Sequence, residues 1–209
     1  MIRILIADDH AIVRKGLRQI IVDDFPSATV TEVGDVESLI MQVIKTEWDV
    51  VICDISMPGR SGVEALEQVK QIKPNLPVLM LSMHPEDQYA LRVLKAGAAG
   101  FLNKSSVHEE LIDAINTVRI GRKYITPSIA EKLARNINSH ANKQLHENLS
   151  NREFEILKMI ASGKSISDIA AQLSLSATTV STYRSRILEK MAMKSNAELT
   201  RYALENNLI

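Results

Sequence analysis

The stretch WDVVICDISMPG, from Trp48 to Gly59, decides the fold. Its apolar run Val50–Cys53 has no polar interruption, which is typical of a strand that is covered on both faces in a parallel sheet. The run ends on Asp54, although an isolated carboxylate in an apolar setting costs free energy. Pro58-Gly59 then predict a tight turn that keeps the Asp54 side chain accessible. The stretch therefore predicts a buried central strand with a functional carboxylate at its carboxyl end.

Similar apolar runs lie on both sides of this strand, up to about residue 121. They occupy residues 2–7, 28–33, 49–54, 77–82 and 99–103, and longer stretches with helical spacing follow them at 11–24, 35–46, 62–73, 86–96 and 106–120. Strands that alternate with helices in this way indicate a parallel sheet with helices on both faces. The predicted fold class is α/β, a five-stranded, doubly wound, flavodoxin-like parallel sheet.

The composition is that of an ordinary soluble protein. The chain has 209 residues, of which 45% are hydrophobic and 24% charged, and its 25 basic residues balance 25 acidic ones. The overall charge therefore indicates no particular partner. The single cysteine, Cys53, excludes an intrachain disulfide and is predicted to be a buried structural thiol. No segment approaches the roughly 20 apolar residues of a membrane span, which favours a cytoplasmic location without membrane contact.

The last sixty or so residues predict a small all-α domain. Ser150 and Glu153 have the spacing of a capping box, and Gly163 ends the helix that they begin. Ser165 or Ser167 caps the next helix, and a turn at LSLSATT joins it to a longer, basic helix. Two helices joined in this way indicate a helix-turn-helix. The predicted domains are residues 1–121 and 148–209, connected by a linker, 122–147, that begins with a short helix near Pro127.

Polar side chains follow four of the predicted strands at the point where each strand ends. They are Asp8, Asp9, Asp54, Ser82 and Lys104. Because the carboxyl ends of parallel strands meet at one edge of the sheet, we expect these groups to form one site. Carboxylates in close proximity require a cation, and oxygen ligands suit Mg²⁺. Asp54 then becomes a candidate nucleophile that forms an aspartyl-phosphate, with Lys104 and Ser82 supporting the phosphoryl group.

The motifs LIADDH, VVICDISMPGRSGVEAL, VLMLS and AAGFLNKSS resemble, in order and spacing, the receiver domain of two-component response regulators. The tail that begins at LSNREFEIL resembles the LuxR-type helix-turn-helix. Together the two resemblances cover nearly the whole chain, and their combination is similar to the NarL/FixJ family of response regulators. One departure is Ser105, which follows Lys104 where many receivers have proline.

The resemblance implies roles for the residues of the site. Asp54 would accept a phosphoryl group from the phosphohistidine of a sensor kinase, with support from Ser82 and Lys104. The Mg²⁺ ligands would be Asp8, directly or through water, together with Asp9, Asp54 and the backbone carbonyl of Ser56. Ser82 and Phe101 would occupy the switch positions. His10, which follows the acidic pair, is interpreted as a loop or first-turn residue.

The long basic helix of the tail is the predicted DNA-reading element. Arg184, Arg186, Lys190 and Lys194 oppose Glu189, a local positive excess in a chain without net charge. The amino-terminal part of such a helix contacts base edges in the major groove. The candidate DNA-binding residues, some from this placement and others from the resemblance, are Thr178, Thr179, Ser181, Thr182, Arg184, Ser185, Arg186 and Lys190.

The predicted function is a phosphorylation-controlled DNA-binding transcriptional regulator that is not an enzyme. Its expected partners are a sensor histidine kinase, promoter DNA and a second copy of the chain, the dimer being promoted by phosphorylation, with RNA polymerase as a further candidate. One alternative is a constitutive DNA-binding regulator whose receiver does not depend on phosphorylation. Another is an aspartyl-phosphate phosphatase. Ser56 argues against it, because phosphatases of that class have a second acid two residues after the nucleophile, where this chain has a serine.

Overall fold

The computed structural model describes residues 1–57, 60–83, 86–138 and 144–209. The chain divides into two compact units, Met1–Arg135 and Asn136–Ile209. The predicted turn at Pro58-Gly59 and part of the predicted linker, residues 139–143, lie outside the described residues. The domain boundaries at 121 and 147 remain predictions. Within the described residues, no helix is both long enough and apolar enough to cross a bilayer.

The first unit is built around a five-stranded parallel sheet, as predicted. Its strands are β1 (Arg3–Ala7), β2 (Thr29–Val33), β3 (Val50–Asp54), β4 (Val78–Ser82) and β5 (Gly100–Asn103). Its helices are α1 (Ala11–Asp24), α2 (Val36–Lys45), α3 (Gly62–Ile72), α4 (Glu86–Lys95) and α5 (Val107–Arg119). They are followed by α6 (Pro127–Asn138), which begins where the sequence predicted the helical part of the linker.

The sheet is buried on both faces, which explains the continuous apolar runs of its central strands. Every residue of β3 and β4 is buried. Alternate side chains of β1, β3 and β4 form one apolar cluster with α1 and α5; the strand members are Ile4, Ile6, Val50, Ile52, Leu79 and Leu81. The residues between them point to the other face, where α3 contacts β3 and α4 contacts β5. Cys53 belongs to that second set and is a buried free thiol, as predicted.

The strand order places the switch point of the sheet between β1 and β3. The order is β2-β1-β3-β4-β5, so the chain leaves β1 in one direction and β3 in the other. Ala7 pairs with Cys53 across these two strands. Asp8 and Asp54, the next residues of each segment, therefore emerge side by side at the crevice where doubly wound sheets bind ligands.

Gly62 allows α3 to begin directly against the end of β3. Its backbone N–H donates to the carbonyl oxygen of Ile55 at 2.8 Å. A Cβ atom added at this position would lie 1.8 Å from the backbone oxygen of Asp54. Ser61 caps the helix by accepting a hydrogen bond from the N–H of Glu64 at 3.2 Å. Only a glycine permits this close approach, which holds the main chain around Asp54.

The second unit is all helical within the described residues. A short 3-10 helix, Leu145–Asn148, precedes α7 (Asn151–Ala161), α8 (Ile166–Gln172), α9 (Ala177–Lys190) and α10 (Asn196–Glu205). The predicted capping box at the start of α7 is confirmed: the Ser150 N–H donates to Glu153 Oε2 at 2.7 Å, and the Glu153 N–H donates to Ser150 Oγ at 3.3 Å. Of the two candidate caps for α8, Ser165 is the one that forms, with Asp168.

Lys158 on α7 makes the stability of the second unit dependent on pH. The residue is buried, and burial lowers the pKa of its ammonium from 10.5 to about 8, with a partial offset from Glu155. The unfolded chain therefore binds more protons than the folded one between pH 8 and 10.5, and stability rises with pH across that window. Below pH 8 the free-energy cost of burying the Lys158 ammonium no longer changes with pH. We expect Lys158→Met to stabilise the unit by up to about 3 kcal/mol at neutral pH.

Amide hydrogen exchange of α7 and α10 in the full chain measures this effect. The difference in stability between Lys158→Met and the parent should shrink toward zero as the pH rises through the window. The control is Lys164→Met, because Lys164 is exposed and its ammonium bonds the side-chain oxygen of Gln172. This control measures what replacing an exposed lysine by methionine does to the second unit. A Lys158→Met difference that stays constant with pH would mean that packing, and not charge, causes it.

Candidate functional site

Asp8 and Asp54 are brought together as buried carboxylates at the switch point. Asp8 is fully buried and Asp54 is 1% exposed. The backbone holds both of them: the Asp8 N–H donates to Val33 at the end of β2, and the residue after Asp54, Ile55, donates to Leu81 of β4. Two buried acids at such close quarters need positive charge nearby.

Lys104 supplies that charge. Its Nζ lies 2.6 Å from Asp8 Oδ2 and 2.8 Å from Asp54 Oδ2, and its side chain is only 6% exposed. The backbone N–H of Lys104 donates to the carbonyl of Ser82, which fixes the loop after β5. The predicted grouping of both acids with this lysine is therefore present in the structure.

The protonation of the site follows from burial and these ion pairs. Burial raises the pKa of the Asp54 carboxyl above its ordinary value, while Lys104 and the backbone N–H of Ser56 oppose the rise and Asp8 adds to it. Burial on its own lowers the pKa of Lys104, but the hydrogen bonds and charges of Asp54 and Asp8 outweigh it, so the net pKa is raised. Lys104 therefore remains an ammonium at neutral pH, and the carboxyl of Asp54 is more basic than an exposed one.

The acidic cluster fits a divalent cation with oxygen ligands. Asp8, Asp9, His10 and Asp54 each offer one ligand atom, and these atoms all lie within 4.8 Å of one another. Asp8 Oδ2 and Asp54 Oδ2 both lie at ion-pair distance from the Lys104 ammonium, and no other hydrogen-bond partner reaches them among the described residues. Such oxygens are available to a cation, and carboxylates suit Mg²⁺. Mg²⁺ is also the cation that the resemblance to receiver domains implies for this site.

The predicted switch residues lie on β4, which pairs with β3, and on β5, which pairs with β4. Ser82 ends β4 and is fully buried. Phe101, on β5, is also fully buried, so its ring belongs to the core in this conformation. Asn103, which ends β5, pairs in register with Ser82. The switch residues Ser82 and Phe101 therefore both lie on the side of β3 that faces away from β1.

Two residues of the site were missed in the sequence analysis. Arg14 on α1 donates from Nη1 to the backbone oxygen of Asp8 at 2.5 Å, and its Nε lies 3.7 Å from Glu32 Oε2. Gly62 allows the close approach behind Asp54. A glycine directly after a serine cap was the available signal for Gly62. No local pattern indicates that Arg14 reaches the end of β1, because the contact depends on how α1 packs.

The amino-terminal half of α9 presents hydroxyl groups. Ser176 caps the helix by accepting from the Thr179 N–H at 3.0 Å, and the two hydroxyls lie 2.7 Å apart. Thr182 Oγ1 donates to the Thr178 carbonyl at 3.0 Å, and Ser185 Oγ donates to the Ser181 carbonyl at 3.1 Å. Thr178, Ser181, Thr182 and Ser185 are exposed, and Thr179 is partly buried.

The cationic side chains of α9 are not equivalent. Arg184 donates from Nε to Asn196 Oδ1 on α10 at 2.6 Å. The Nζ of Lys190 lies 2.7 Å from Oε2 of Glu153, a buried residue of α7. Arg186 is exposed, and no hydrogen bond or ion pair of its side chain occurs with the described residues. Of the predicted cations of α9, Arg186 is therefore the one whose guanidinium is uncommitted within its own unit.

The fold and site together define a class of protein, a receiver domain joined to a helix-turn-helix unit. The family "Response regulator receiver domain" matches residues 4–116, and the family "Bacterial regulatory proteins, luxR family" matches residues 147–203. The "Response regulator UvrY" of Escherichia coli is 35% identical over 209 residues, which is 100% of this chain and 96% of that protein.

Solved structures support the same class. RcsB from Salmonella enterica serovar Typhimurium, bound to promoter rprA in the presence of a phosphomimetic, is 25% identical with a TM-score of 0.64 over 97% of this chain and 98% of its own. A structure of two RcsB dimers bound to two parallel DNAs is 27% identical with a TM-score of 0.60 over 96% and 97%.

The chain belongs to the NarL/FixJ family of response regulators. It is a phosphorylation-controlled DNA-binding transcription regulator. The members of its family are DNA-binding regulators and are not typical enzymes.

Proposed function

We propose that Asp54 is the residue that accepts the phosphoryl group and that this event controls DNA binding by α9. The supporting observation is the ion-paired set of Asp8, Asp54 and Lys104, buried together at the switch point of the sheet. A buried carboxylate beside an ammonium and a second acid is suited to phosphoryl transfer, in which positioning and charge compensation supply most of the catalysis.

The transfer step uses groups of this chain. A carboxylate oxygen of Asp54 attacks phosphorus, the bond from phosphorus to the imidazole nitrogen of the kinase histidine breaks, and the imidazole leaves with its electron pair. Lys104 holds its ammonium next to the attacking oxygen and moves onto the phosphoryl oxygens as charge shifts to them. When bound by Asp8, Asp9, Asp54 and the Ser56 carbonyl, Mg²⁺ would neutralise further charge on those oxygens.

The switch that we propose starts from the ion pair of Lys104. Phosphorylation adds about −1.5 to −2 charge units and new hydrogen-bond acceptors at Asp54. Lys104 and the Ser82 hydroxyl are drawn to the phosphoryl group, and the change reaches Phe101 through β5. Because Phe101 is fully buried here, a new position for its ring requires repacking of the core, which is a two-state change rather than a gradual one.

For the DNA interface, the contacts of α9 suggest a division of roles among the predicted residues. Thr182 and Ser185 already donate their hydroxyl protons to carbonyls within the helix. In this rotamer their oxygens can therefore only accept hydrogen bonds, and the amino groups of bases are suitable donors. Arg186 is the side chain that we propose contacts phosphate or a base edge. We propose that Arg184 and Lys190 chiefly orient α9 through Asn196 and Glu153.

The proposed partners follow from these roles. A sensor histidine kinase supplies the phosphoryl group, and promoter DNA binds a homodimer, because one such unit makes few phosphate contacts. Because the proposed target is promoter DNA, the proposed location of the protein is the cytoplasm. RNA polymerase is the candidate downstream partner. The protein itself turns over no substrate.

Incubation of the full chain with Mg²⁺ and acetyl phosphate tests the proposal, with intact mass spectrometry as the measurement. We expect one phosphoryl group per chain and none in Asp54→Asn. Asp24→Asn is the control, because Asp24 is an exposed carboxylate at the end of α1, and it should be labelled like the parent. Labelling that persists in Asp54→Asn would contradict the assignment of the acceptor.

The same samples separate the alternatives. Release of many phosphates per chain from small phosphate esters would indicate the phosphatase. Binding-site selection with phosphorylated protein defines an operator, and affinity for that operator should increase on phosphorylation in the parent but not in Asp54→Asn. An equal affinity with and without phosphate would favour the constitutive regulator.

A further inference from the structure

The ring of His10 lies against the acidic cluster, although the proposed Mg²⁺ site does not use it. Its Nδ1 is 2.7 Å from Asp9 Oδ1 and 3.4 Å from Asp8 Oδ1. It is one of four residues whose ligand atoms all lie within 4.8 Å of one another, the others being the acids Asp8, Asp9 and Asp54. It is therefore the one nitrogen ligand in a group that otherwise offers carboxylate oxygens.

The main chain fixes His10 in this place. The residue is the N-cap of α1, with an extended conformation of φ −86° and ψ 105°, and its side chain makes no capping hydrogen bond. Its N–H donates to Asp8 Oδ1 at 2.8 Å, and its carbonyl accepts from Val13 and Arg14 in the first turn of the helix. The ring therefore does not cap the helix and instead contacts the acidic pair, Asp8 and Asp9.

The two contacts of the His10 ring are at ion-pair distances, and these distances also fit neighbouring ligands on one metal ion. Ligands bound at about 2.0–2.2 Å and at right angles lie roughly 3 Å apart. The separations of 2.7 and 3.4 Å between Nδ1 and the two carboxylates bracket this value. The His10 side chain is 62% exposed, so its ring is open to solvent while Nδ1 contacts the acidic pair.

A nitrogen ligand changes which ions such a site prefers. Carboxylates, carbonyls and water suit Mg²⁺ and Mn²⁺, whereas imidazole favours Zn²⁺, Cu²⁺, Fe²⁺ and Ni²⁺. We propose that His10 is a metal-selectivity residue, whose imidazole joins the carboxylates of the Asp8, Asp9 and Asp54 cluster around a transition-metal dication and raises the affinity for that ion relative to Mg²⁺. This inference rests on the proposed cation site at the same carboxylates.

Metal titration of the full, unphosphorylated chain tests the inference. Zn²⁺ and Mg²⁺ affinities are measured by calorimetry at one fixed pH for the parent and for His10→Gln, which keeps a hydrogen-bonding group beside Asp9 but lacks the imidazole. The ratio of Zn²⁺ to Mg²⁺ affinity should fall by roughly tenfold in His10→Gln, with little change for Mg²⁺. Pulsed electron paramagnetic resonance of bound Cu²⁺ should show coupling to the imidazole nitrogen in the parent and none in the variant.

Two controls keep this result separate from the proposed function. His108→Gln changes an exposed histidine on α5 that is outside the cluster, and it should leave the ratio and the nitrogen coupling unchanged. Asp54→Asn should weaken both ions. An unchanged ratio in His10→Gln, or an equal loss of both ions, would overturn the selectivity role while leaving the cation site intact. Failure of the parent to bind either ion would overturn the proposed site itself.

Discussion

Gly62→Ala is expected to lower the free energy of unfolding of the receiver by about 3 kcal/mol, the upper end of the usual range for overpacking. The new Cβ atom would lie 1.8 Å from the backbone oxygen of Asp54 and 2.9 Å from Cα of Ile55. These are main-chain atoms, so the clash cannot be relieved by rotation of a side chain. Either α3 or the end of β3 must move, and the carboxylate of Asp54 moves with it.

Urea unfolding followed by tryptophan fluorescence measures this loss. Trp48 is the single tryptophan of the chain and is buried next to β3, so its signal reports on the receiver. Gly16→Ala is the matched control, because a Cβ at Gly16 meets nothing within 4 Å in the middle of α1. That change should stabilise the receiver by roughly 0.5–1 kcal/mol. Equal stability of Gly62→Ala and the parent would contradict the close approach.

Lys104→Met is expected to destabilise the receiver by about 3 kcal/mol or more in the absence of divalent ions. The change leaves Asp8 and Asp54 buried without the ammonium that lies 2.6 and 2.8 Å from their carboxylate oxygens. Added Mg²⁺ should recover part of the loss, because a cation bound at the same oxygens stabilises the folded state by mass action. The gain from Mg²⁺ should be larger in the variant than in the parent.

The comparison for this prediction is Lys73→Met, the same substitution at an ion pair whose acid is exposed. Lys73 Nζ lies 2.8 Å from Oε1 of Glu47, whose side chain is 83% exposed. Such a pair contributes about 1 kcal/mol or less, and Mg²⁺ should not affect its loss. Urea titrations with and without Mg²⁺ measure both variants. A similar loss in the two variants would mean that Lys104 does not carry the charge balance of the buried acids.

The sequence allowed the strands and the location of the site to be predicted because both depend on local patterns. A continuous apolar run indicates a strand buried on two faces, and a polar residue at its carboxyl end marks the edge where ligands bind. Asp8, Asp54 and Lys104 were found in this way. The capping box of Ser150 and Glu153 was equally local, because its two partners are separated by a single turn of helix.

The contacts that could not be predicted join residues far apart in the chain. In the sequence, Lys190 and Arg184 belong to the same basic stretch. In the structure, Lys190 forms an ion pair with Glu153 of α7, and Arg184 donates a hydrogen bond to Asn196 of α10. No periodicity indicates these partners, since they depend on how α9 packs between its neighbours. The contact between Arg14 and the backbone of Asp8 depends in the same way on the packing of α1.

His10 shows where the boundary between the two kinds of information lies. The sequence placed it after an acidic pair and before a helix, which is correct but does not distinguish a loop residue from a ligand. The fold turns its ring onto Asp9 because its own N–H is held by Asp8 and its carbonyl begins α1. Hydrophobic periodicity and strand-end chemistry act over a few residues and are written in the sequence. The direction of a side chain depends on main-chain contacts that exist only after the elements have packed.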